Sequence, residues 1–477
     1  MNLFEAIFAH DPSSIAIHFG ERRISYGELR AETLRMVQLV KSKGVNRGDR
    51  VALLLHDSPE FVEAFIAIIS LGAIAVPINM ALRTEEQCSI LENSGASVAF
   101  TERDFAPTLL AQNEAAVADF PEPGRDDPAF ILYTSGSTGE PKGAIHTQSD
   151  IFYTKETFCR EVLRLTPDDR VFSSSRLPFA YGLGNSFSFP LLNGATTILC
   201  CEKPGPDVIA GIFTEHRPTI FFGVPVIYNL LLEHHRSKNK LDCSSLRLCI
   251  SAGEALPAHL GEEWEKEFGV QLLDGIGSTE MLHMFMSNHE NEVRYGSSGT
   301  LLEGYEARLL DETGERVASD AAGNLWIKGG SAARGYWERA DATAQTFVDG
   351  WVRTGDLYRR DADGYWFHMG RSDDCFKSSG QWVSPVEVEG VLLRHPGVAR
   401  AAVVEDFDSD HLPCACAFVV KHDVESESGQ LEHELRAAAA ESLPRFKQPR
   451  RYVFVPELPY TATGKIQRFK LRQSLRT

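Results

Sequence analysis

The chain has 477 residues, of which 43% are hydrophobic, so it is long enough to form two or more domains with large apolar cores. Its 66 acidic residues outnumber its 48 lysines and arginines and give a formal net charge of −18. That charge argues against non-specific binding to nucleic acid or to an anionic membrane.

No apolar stretch of the sequence is long enough to span a membrane, and the N-terminus lacks a basic segment followed by a long apolar one. We therefore expect a cytoplasmic protein. The nine cysteines include no Cys-x-x-Cys pair and have no histidine at metal-ligand spacing, which favours reduced thiols.

The first hundred residues alternate between strand-like and helix-like patterns. A strand is predicted over 15–19, and Ser25 with Glu28 forms the capping-box pair that opens a helix. The pattern then predicts a strand over 51–55, a helix over 61–69 and a strand over 73–77. Strands that alternate with helices indicate an α/β fold with mostly parallel sheets covered by helices.

Residues 133–143 form a segment rich in glycine and hydroxyl groups that ends in a lysine. Glycines let a backbone approach an anion closely, hydroxyls donate hydrogen bonds, and an ammonium attracts phosphate oxygens. The candidate phosphate-binding residues are Thr134, Ser135, Gly136, Ser137, Thr138 and Lys142. The spacing is not that of a Walker loop, because Lys142 is followed by Gly143. Apolar residues on both sides predict strand, loop, strand, and the alternative is a flexible surface linker.

The pattern changes to short strands and turns from residue 299, which predicts a β-rich subdomain over about 299–371. A third pattern begins beyond residue 371. It predicts a helix over 385–393, strands over 401–404 and 416–420, and a helix over 431–442.

Four further segments complete a set of motifs: 274–280, 351–356, 370–374 and 464–465. With the loop at 133–143, they resemble the adenylate-forming superfamily of acyl-CoA synthetases, luciferases and adenylation domains, in the same order and over essentially the whole chain. Within it, the segments 177–185, 222–225, 251–256 and 277–283 are most similar to benzoate-type aryl-CoA ligases.

The resemblance implies a fold and a domain arrangement. A large N-terminal domain would span 1–371, with the β-rich subdomain inside it. A small mobile α+β domain would span 374–477, with a hinge near Asp373. The superfamily rotates its small domain between two half-reactions. Whether the chain is a monomer or a homodimer stays open.

The same resemblance implies an ATP-dependent reaction that converts benzoate or a small hydroxy-, amino- or halobenzoate to its CoA thioester through an aryl-AMP. The residues 134–138 and Lys142 would hold the β and γ phosphates, Glu280 would help to hold Mg²⁺, and Lys465 would bridge the substrate carboxylate and the α-phosphate. An isolated lysine such as Lys465 could otherwise be an ordinary exposed residue.

The nucleotide's remaining contacts are assigned in the same way. Asp356 would accept hydrogen bonds from the ribose hydroxyls, and Arg371 would reach the ribose or a phosphate. The adenine would be bordered by Gly253, Glu254 and Ala255 and by Asp274, Gly275 and Ile276. Gly277, Ser278 and Thr279 would complete the contacts with ATP or AMP. Asp356 and Arg371 could instead be surface turn residues, and Glu254 a solvated charge.

The aryl pocket is assigned to Ala180, Tyr181, Gly182, Gly275, Gly277 and His283. The small residues would leave a flat slot, and Ala180 stands where amino-acid-activating relatives place an aspartate, which argues against an α-amino acid. His283 would supply a polar contact, or it could be a structural histidine. His146 is interpreted as structural.

Ser379, Gly380 and Trp382 would line the path of the CoA thiol, although Trp382 could equally serve packing. Two alternatives to a CoA ligase remain. One is transfer of the aryl group to a carrier-protein phosphopantetheine, and the other is a non-catalytic relative that binds aryl acids.

Overall fold

The structure is a computed structural model. It describes residues 2–105, 120–135, 141–237, 241–378, 380–408, 410–422, 427–460 and 466–475. The chain forms two compact units: Met1–Glu306 with Ile327–Val352, and Ala307–Trp326 with Arg353–Thr477. This division groups part of the predicted β-rich subdomain with the C-terminal residues, and the hinge near Asp373 stays a prediction.

The strands, in chain order, are β1 Ile15–Phe19, β2 Arg22–Ser25, β3 Arg50–Leu54, β4 Ile74–Pro77, β5 Val98–Thr101, β6 Pro128–Ser135, β7 Pro141–Thr147, β8 Arg170–Ser173, β9 Thr196–Leu199, β10 Ile220–Gly223, β11 Leu248–Ser251, β12 Leu272–Gly277, β13 Met284–Ser287, β14 Thr300–Leu301, β15 Glu306–Leu310, β16 Gly323–Lys328, β17 Phe347–Val348, β18 Trp351–Arg360, β19 Trp366–Arg371, β20 Phe376–Ser378, β21 Gln381–Val383, β22 Val398–Phe407, β23 Pro413–Lys421 and β24 Arg451–Phe454.

The α-helices are α1 Leu3–Ile7, α2 Tyr26–Ser42, α3 Pro59–Ser70, α4 Thr84–Ser94, α5 Gln148–Thr154, α6 Ala180–Leu183, α7 Phe189–Leu192, α8 Pro206–His216, α9 Pro225–Ser237, α10 Ala258–Phe268, α11 Ala340–Thr346, α12 Pro385–Leu392, α13 Ser428–Ser442 and α14 Arg468–Ser474. Two π-helical segments, Lys155–Leu163 and Gly184–Ser188, continue α5 and α6.

The first unit contains two large sheets that are mostly parallel. One has the strand order β14-β13-β12-β11-β10-β8-β9-β1-β2, and its strands from β12 to β1 are parallel. The other has the order β5-β3-β4-β6-β7, and only β7 is antiparallel to its neighbour. The predicted α/β class is confirmed.

Local sequence explains why the helices start where they do. The predicted capping box opens α2, because the Ser25 hydroxyl accepts from the backbone N–H of Glu28 and the Glu28 carboxylate accepts from that of Ser25. Ser58 caps α3, and Pro59 occupies its first turn. Every residue of α3 except Glu60 is buried, so this helix packs on all sides within the apolar core between the sheets.

In the second unit, the C-terminal residues form a three-stranded sheet in the order β22-β23-β24. Alternate residues of β22 face opposite sides, so Val403 packs with α12 and α13, whereas Val404 packs with Leu471 of α14. Helices therefore cover both faces of this small sheet. Strands β18 and β19 form an antiparallel pair that places Asp356 opposite Arg371.

Candidate active site

The predicted phosphate loop connects two paired strands. β6 and β7 are antiparallel, with Thr134 opposite Lys142 and Tyr133 opposite Gly143, so the strands predicted on both sides of the loop are confirmed. A Cβ at Gly143 would lie 2.6 Å from Cγ2 of Ile131, which leaves room only for glycine. Gly136, Ser137 and Thr138 lie outside the described residues, as does the side chain of Ser135, and their roles stay predictions.

Lys142 lies beside an aromatic ring, and that ring contacts a carboxylate. The Lys142 ammonium is 5.5 Å from the centroid of the Tyr336 ring. The Tyr336 hydroxyl donates a 2.6 Å hydrogen bond to Oε1 of Glu280. Among the described residues, none donates a hydrogen bond to the second carboxylate oxygen of Glu280. The structure thus brings together two of the predicted residues, Lys142 and Glu280, through a third that the sequence did not indicate.

Main-chain hydrogen bonds hold this arrangement in place. Trp337 donates its backbone N–H to Gly143 at 2.8 Å, and Tyr336 forms a β-bridge with Ala144, so the segment containing Tyr336 runs along β7. The backbone N–H of Ala333 donates to the carbonyl of Glu280 at 2.8 Å. The phenol and the carboxylate are therefore fixed by backbone that packs on the phosphate hairpin.

His146 contacts the backbone next to Glu280. Its Nε2 lies 2.7 Å from the carbonyl oxygen of Thr279, and its Nδ1 lies 2.9 Å from Asp150. Both side chains are fully buried, and the backbone N–H and hydroxyl of Thr147 also donate to Asp150. These contacts support the structural role expected for His146, since they hold the backbone next to Glu280.

The candidate adenine residues lie where parallel strands end. β10, β11 and β12 are parallel, so the residues after them share one edge of the sheet, the usual position of a ligand in such folds. Gly253 follows β11 with a φ of 90°, which favours glycine, and Glu254 is exposed. Asp274 in β12 is buried, accepts a hydrogen bond from the backbone of Leu256, and has a pKa raised well above its usual value by burial.

The candidate ribose carboxylate, Asp356, contacts two basic side chains. Arg371 donates to Oδ1 at 3.1 Å, and Nε2 of His368 lies 3.5 Å from the same oxygen. Burial opposes ionisation, but hydrogen bonding to His368 and the charge of Arg371 hold the pKa of Asp356 below its usual value. In the described part of the chain, no hydrogen bond reaches Oδ2. Asp356 is thus a buried carboxylate with one oxygen available.

His368 was not predicted. It pairs with Tyr358, two residues beyond Asp356 on β18, which makes it a diagonal neighbour of the carboxylate across the two strands. The turn at 361–364 sets the pairing of Tyr358 with His368, but the register shifts between Leu357 and Tyr358, so the sequence alone did not place His368 beside Asp356.

Tyr181 and His283 lie together in an aromatic cluster. The Tyr181 hydroxyl donates to the carbonyls of Ile250 and Gly223 at 3.3 and 3.4 Å. The His283 ring lies between those of Tyr181, Phe158 and Phe189, with centroid distances of 5.6, 4.9 and 4.6 Å. The structure therefore brings two of the predicted pocket residues into contact.

His283 is 3% exposed, and burial lowers its pKa to about 3, so the ring is neutral at physiological pH. Its Nε2 lies 3.1 Å from Oδ1 of Asn185, a residue of the π-helical segment after α6. Leu282, immediately before His283, has a φ of 64°, an uncommon value for a bulky side chain that is characteristic of strained functional sites.

The predicted small residues have close neighbours. A Cβ at Gly182 would lie 2.0 Å from the carbonyl oxygen of Arg176, one at Gly275 2.6 Å from that of Met286, and one at Gly277 2.5 Å from that of His283. Close backbone packing thus accounts for these glycines. The flat slot they were expected to leave, with Ala180, stays a prediction.

The candidate thiol path and the catalytic lysine are described only in part. Gly380 lies at the turn between β20 and β21 with a φ of 76°, and the Lys377 ammonium lies 4.8 Å from the Trp382 ring centroid. Ser379 and Lys465 lie outside the described residues. Tyr460 and Ile466, on either side of the Lys465 segment, form a β-bridge.

Other kinds of site receive no support from the described residues. They contain no group of three or more His, Cys, Asp or Glu side chains placed to bind a metal by themselves. None of the helices in these ranges has the length and apolar character needed to cross a membrane. All nine cysteines are free thiols.

Comparison with known proteins agrees with this geometry. Residues 4–337 match the model of the AMP-binding enzyme family, and residues 387–465 match that of the AMP-binding enzyme C-terminal domain. A benzoate–CoA ligase of Thauera aromatica is 41% identical over 94% of this chain and 90% of its own length.

Solved structures are similar over nearly the whole chain. The anthranilate CoA ligase AuaEII, in complex with anthranoyl-AMP, has a TM-score of 0.93 and 35% identity, and the match covers 99% of this chain and 97% of that one. A benzoate CoA ligase from Burkholderia xenovorans LB400 has a TM-score of 0.90 and 38% identity, with coverage of 99% and 100%. The chain is therefore a member of the AMP-binding enzyme family.

Proposed function

We propose that the protein is an ATP-dependent aryl-CoA ligase that converts benzoate or a small hydroxy-, amino- or halobenzoate to its CoA thioester, with release of AMP and pyrophosphate. The observation that carries the proposal is the row formed by Lys142 of the phosphate hairpin with Tyr336 and Glu280 beside it. It combines a cation for phosphate oxygens with a carboxylate for a divalent cation.

In the first half-reaction, a carboxylate oxygen of the acid attacks the α-phosphorus of ATP, and the bond to pyrophosphate breaks. Both reactants are anionic, so the barrier includes charge repulsion that cations must offset. Lys142, with the hydroxyls of 134–138, would stabilise the leaving pyrophosphate. Lys465 would bridge the two reacting anions.

Glu280 suits a magnesium ion, since one of its oxygens is held by Tyr336 and the other is available. Mg²⁺ is typically bound by one or two carboxylates together with substrate phosphates. A magnesium ion held there would neutralise charge on the phosphates. The residues around it would orient the phosphates for in-line attack.

Asp356 would receive the ribose hydroxyls through its available oxygen, with Arg371 beside it. Tyr181 and His283 would border the aryl ring. Because His283 is neutral and buried, it suits an uncharged ring or a hydrogen-bonding substituent better than a second carboxylate.

In the second half-reaction, the CoA thiolate attacks the aryl-AMP carbonyl, and AMP leaves. Gly380, Ser379 and Trp382 would line the thiol's path after the small domain rotates about Asp373. A cytoplasmic location and a monomeric or homodimeric state remain part of the proposal.

A panel of benzoates tests the first step through acid-dependent exchange of pyrophosphate into ATP. If no acid supports exchange, the chain is not an adenylating enzyme, and binding of an aryl acid without catalysis becomes the better description. Supplying the enzyme with either CoA or a carrier protein and identifying the thioester tests the second step. A product formed only on the carrier protein would replace the CoA-ligase assignment.

A further inference from the structure

Asp57 is a buried carboxylate that contacts the segment leading into the candidate aryl pocket. It follows β3 and lies immediately before Ser58, the residue that caps α3. Its Oδ1 accepts the backbone N–H of Leu177 at 3.1 Å, and its Oδ2 lies 3.7 Å from Nη1 of Arg176. Asp57 is 6% exposed, and Leu177 is fully buried. Burial raises the pKa of Asp57 to about 6, although the charge of Arg176 and the N–H of Leu177 oppose that shift.

Arg176 attaches the same segment to a second strand end. Its guanidinium donates to the backbone carbonyls of three consecutive residues, Cys200, Cys201 and Glu202. Cys200 directly follows β9, which is the parallel neighbour of β8. Arg176 therefore ties the segment after β8 to the end of the next strand in the same sheet.

The segment held in this way continues into the residues assigned to the aryl pocket. The backbone N–H of Phe179 donates to the carbonyl of Arg176 at 3.0 Å, and the same carbonyl oxygen is the one that a Cβ at Gly182 would meet at 2.0 Å. Between Phe179 and Gly182 lie Ala180 and Tyr181, which begin α6. Because the backbone of Arg176 packs so closely against α6, a displacement of one displaces the other.

We propose that Asp57 is a positioning residue for the aryl pocket, which fixes the start of α6, with Ala180 and Tyr181, through the backbone of Leu177. The inference rests on the proposed function, in which Ala180 and Tyr181 border the substrate ring. Strands β3 and β8 belong to different sheets, and Asp57 and Leu177 follow their respective carboxyl ends. The hydrogen bond thus joins the two sheets at the strand ends where ligands bind in such folds.

A purely structural role is the competing explanation, because a buried carboxylate with an arginine and a backbone N–H as partners can simply stabilise the domain. Asp169 provides a matched comparison at the opposite end of β8. It is 4% exposed, it accepts hydrogen bonds from Arg247, and it accepts the backbone N–H of Thr166 at 2.9 Å. Loss of stability should follow removal of either carboxylate, whereas the choice among acids should change only when Asp57 is removed.

The decisive variant is Asp57→Ala, with Asp169→Ala as the control. We expect Asp57→Ala to lower kcat/KM for benzoate by roughly 10- to 100-fold, since a misplacement of about 1 Å costs that much, with little change in KM for ATP. The ratio of kcat/KM between benzoate and 4-hydroxybenzoate should change by about threefold or more, because a small change in a substrate pocket is worth about 10-fold or more in discrimination. Asp169→Ala should leave this ratio unchanged even if its melting temperature falls.

Asp57→Asn tests rescue, because the amide keeps an oxygen that can accept the N–H of Leu177 but removes the charge. Its ratio between the two acids should be close to that of wild type. If Asp57→Ala does not fold, Asp57→Ser takes its place, since the shorter side chain withdraws the oxygen from Leu177 but keeps a polar group.

Hydrogen exchange of a peptide that covers residues 174–183 gives a second measurement, which does not need activity. The amide of Leu177 should exchange faster in Asp57→Ala than in wild type, Asp57→Asn or Asp169→Ala, because it loses its acceptor.

If the ratio between the two acids in Asp57→Ala equals that of wild type, Asp57 serves stability alone and the proposal is wrong, whatever the exchange rate. If wild type forms no aryl-AMP with any acid, the proposed function fails separately. Calorimetric binding of benzoate and 4-hydroxybenzoate then supplies the ratio, and a failure to bind either acid would overturn the proposal as well.

Discussion

The hydroxyl of Tyr336 lies 2.6 Å from Oε1 of Glu280, although the two residues are 56 positions apart in sequence. The hydrogen bond leaves the carboxylate with one oxygen held and one available, and it aligns Glu280 with Lys142 across the same ring. Tyr336 therefore connects the two charged residues that the proposed function assigns to magnesium and to the phosphates.

Removal of that hydroxyl should weaken nucleotide use without unfolding the protein. A hydrogen bond to a charged group contributes about 1.5–3 kcal/mol, so we expect Tyr336→Phe to lower kcat/KM for ATP by roughly 10- to 100-fold, with a higher Mg²⁺ requirement. Steady-state kinetics at several Mg²⁺ concentrations measure both. Tyr295→Phe is the control, since Tyr295 makes a 2.7 Å bond to Glu265 away from the phosphate hairpin. Equal effects of the two substitutions would contradict a specific role for Tyr336.

Lys465→Ala should separate the two half-reactions. Aryl-AMP formation should be abolished because the bridging cation is lost, whereas thioester formation from supplied aryl-AMP should remain largely intact. Pyrophosphate exchange and a thioester assay measure the two steps. Lys470→Ala, which removes an exposed lysine of α14, should leave both unchanged. Equal loss of both steps in Lys465→Ala would refute the role given to this lysine.

His283 should make stability depend on pH. Its folded pKa is about 3, whereas that of an unfolded histidine is about 6.5. Between these values the unfolded chain binds a proton that the folded protein does not, so stability from this group rises with pH from about 3 to 6.5, by up to about 1.4 kcal/mol per pH unit. His18, whose pKa burial lowers to about 4, contributes a further slope in the same direction.

Melting temperatures measured across this pH range test the effect. His283→Gln should flatten the slope, and His433→Gln, at an exposed position of α13, should not. An unchanged slope in His283→Gln would mean that the ring is not buried in the neutral form.

Gly182 should not tolerate a side chain. A Cβ there would lie 2.0 Å from the carbonyl oxygen of Arg176, and such overpacking typically costs about 1–3 kcal/mol or more. We expect Gly182→Ala to lower the melting temperature and to reduce activity through backbone displacement. Gly211→Ala in α8 is the matched control because, apart from its chain neighbours and its own helix backbone, no atom lies within 4 Å of the added Cβ. That substitution should stabilise the protein by up to about 1 kcal/mol. If the Gly182→Ala variant has normal stability but an altered preference among acids, the result would favour a role for Gly182 in the flat aryl slot over a role in backbone packing.

Local patterns predicted much of the fold. The strand over 15–19 and the capping box at Ser25 are confirmed because they depend on neighbouring residues alone. The hairpin around the phosphate loop is confirmed for the same reason, since apolar runs flank a short polar segment.

What the sequence did not indicate depends on how strands pair, either between distant segments or across an irregular register. Tyr336 reaches Glu280 only because its segment pairs with β7, and His368 reaches Asp356 only through the register of β18 and β19. The glycines could be recognised in the sequence, but the reason for them could not. Backbone carbonyl oxygens pack against Gly182, Gly275 and Gly277, and no sequence pattern predicts which backbone segment packs against a given residue.

Asp374 forms ion pairs with Arg468 and Arg472, and Arg472 donates to the backbone carbonyl of Asp373. These contacts define where two related chains could be recombined. A crossover placed before Asp373 takes every member of this charged group from one parent, and an exchanged small domain arrives with its own partners. A crossover placed after Asp374 joins carboxylates from one parent to arginines from another, at a position where one mismatched charge would be buried. We therefore expect an exchange of the predicted small domain to keep this charged group intact when the crossover lies on the N-terminal side of Asp373.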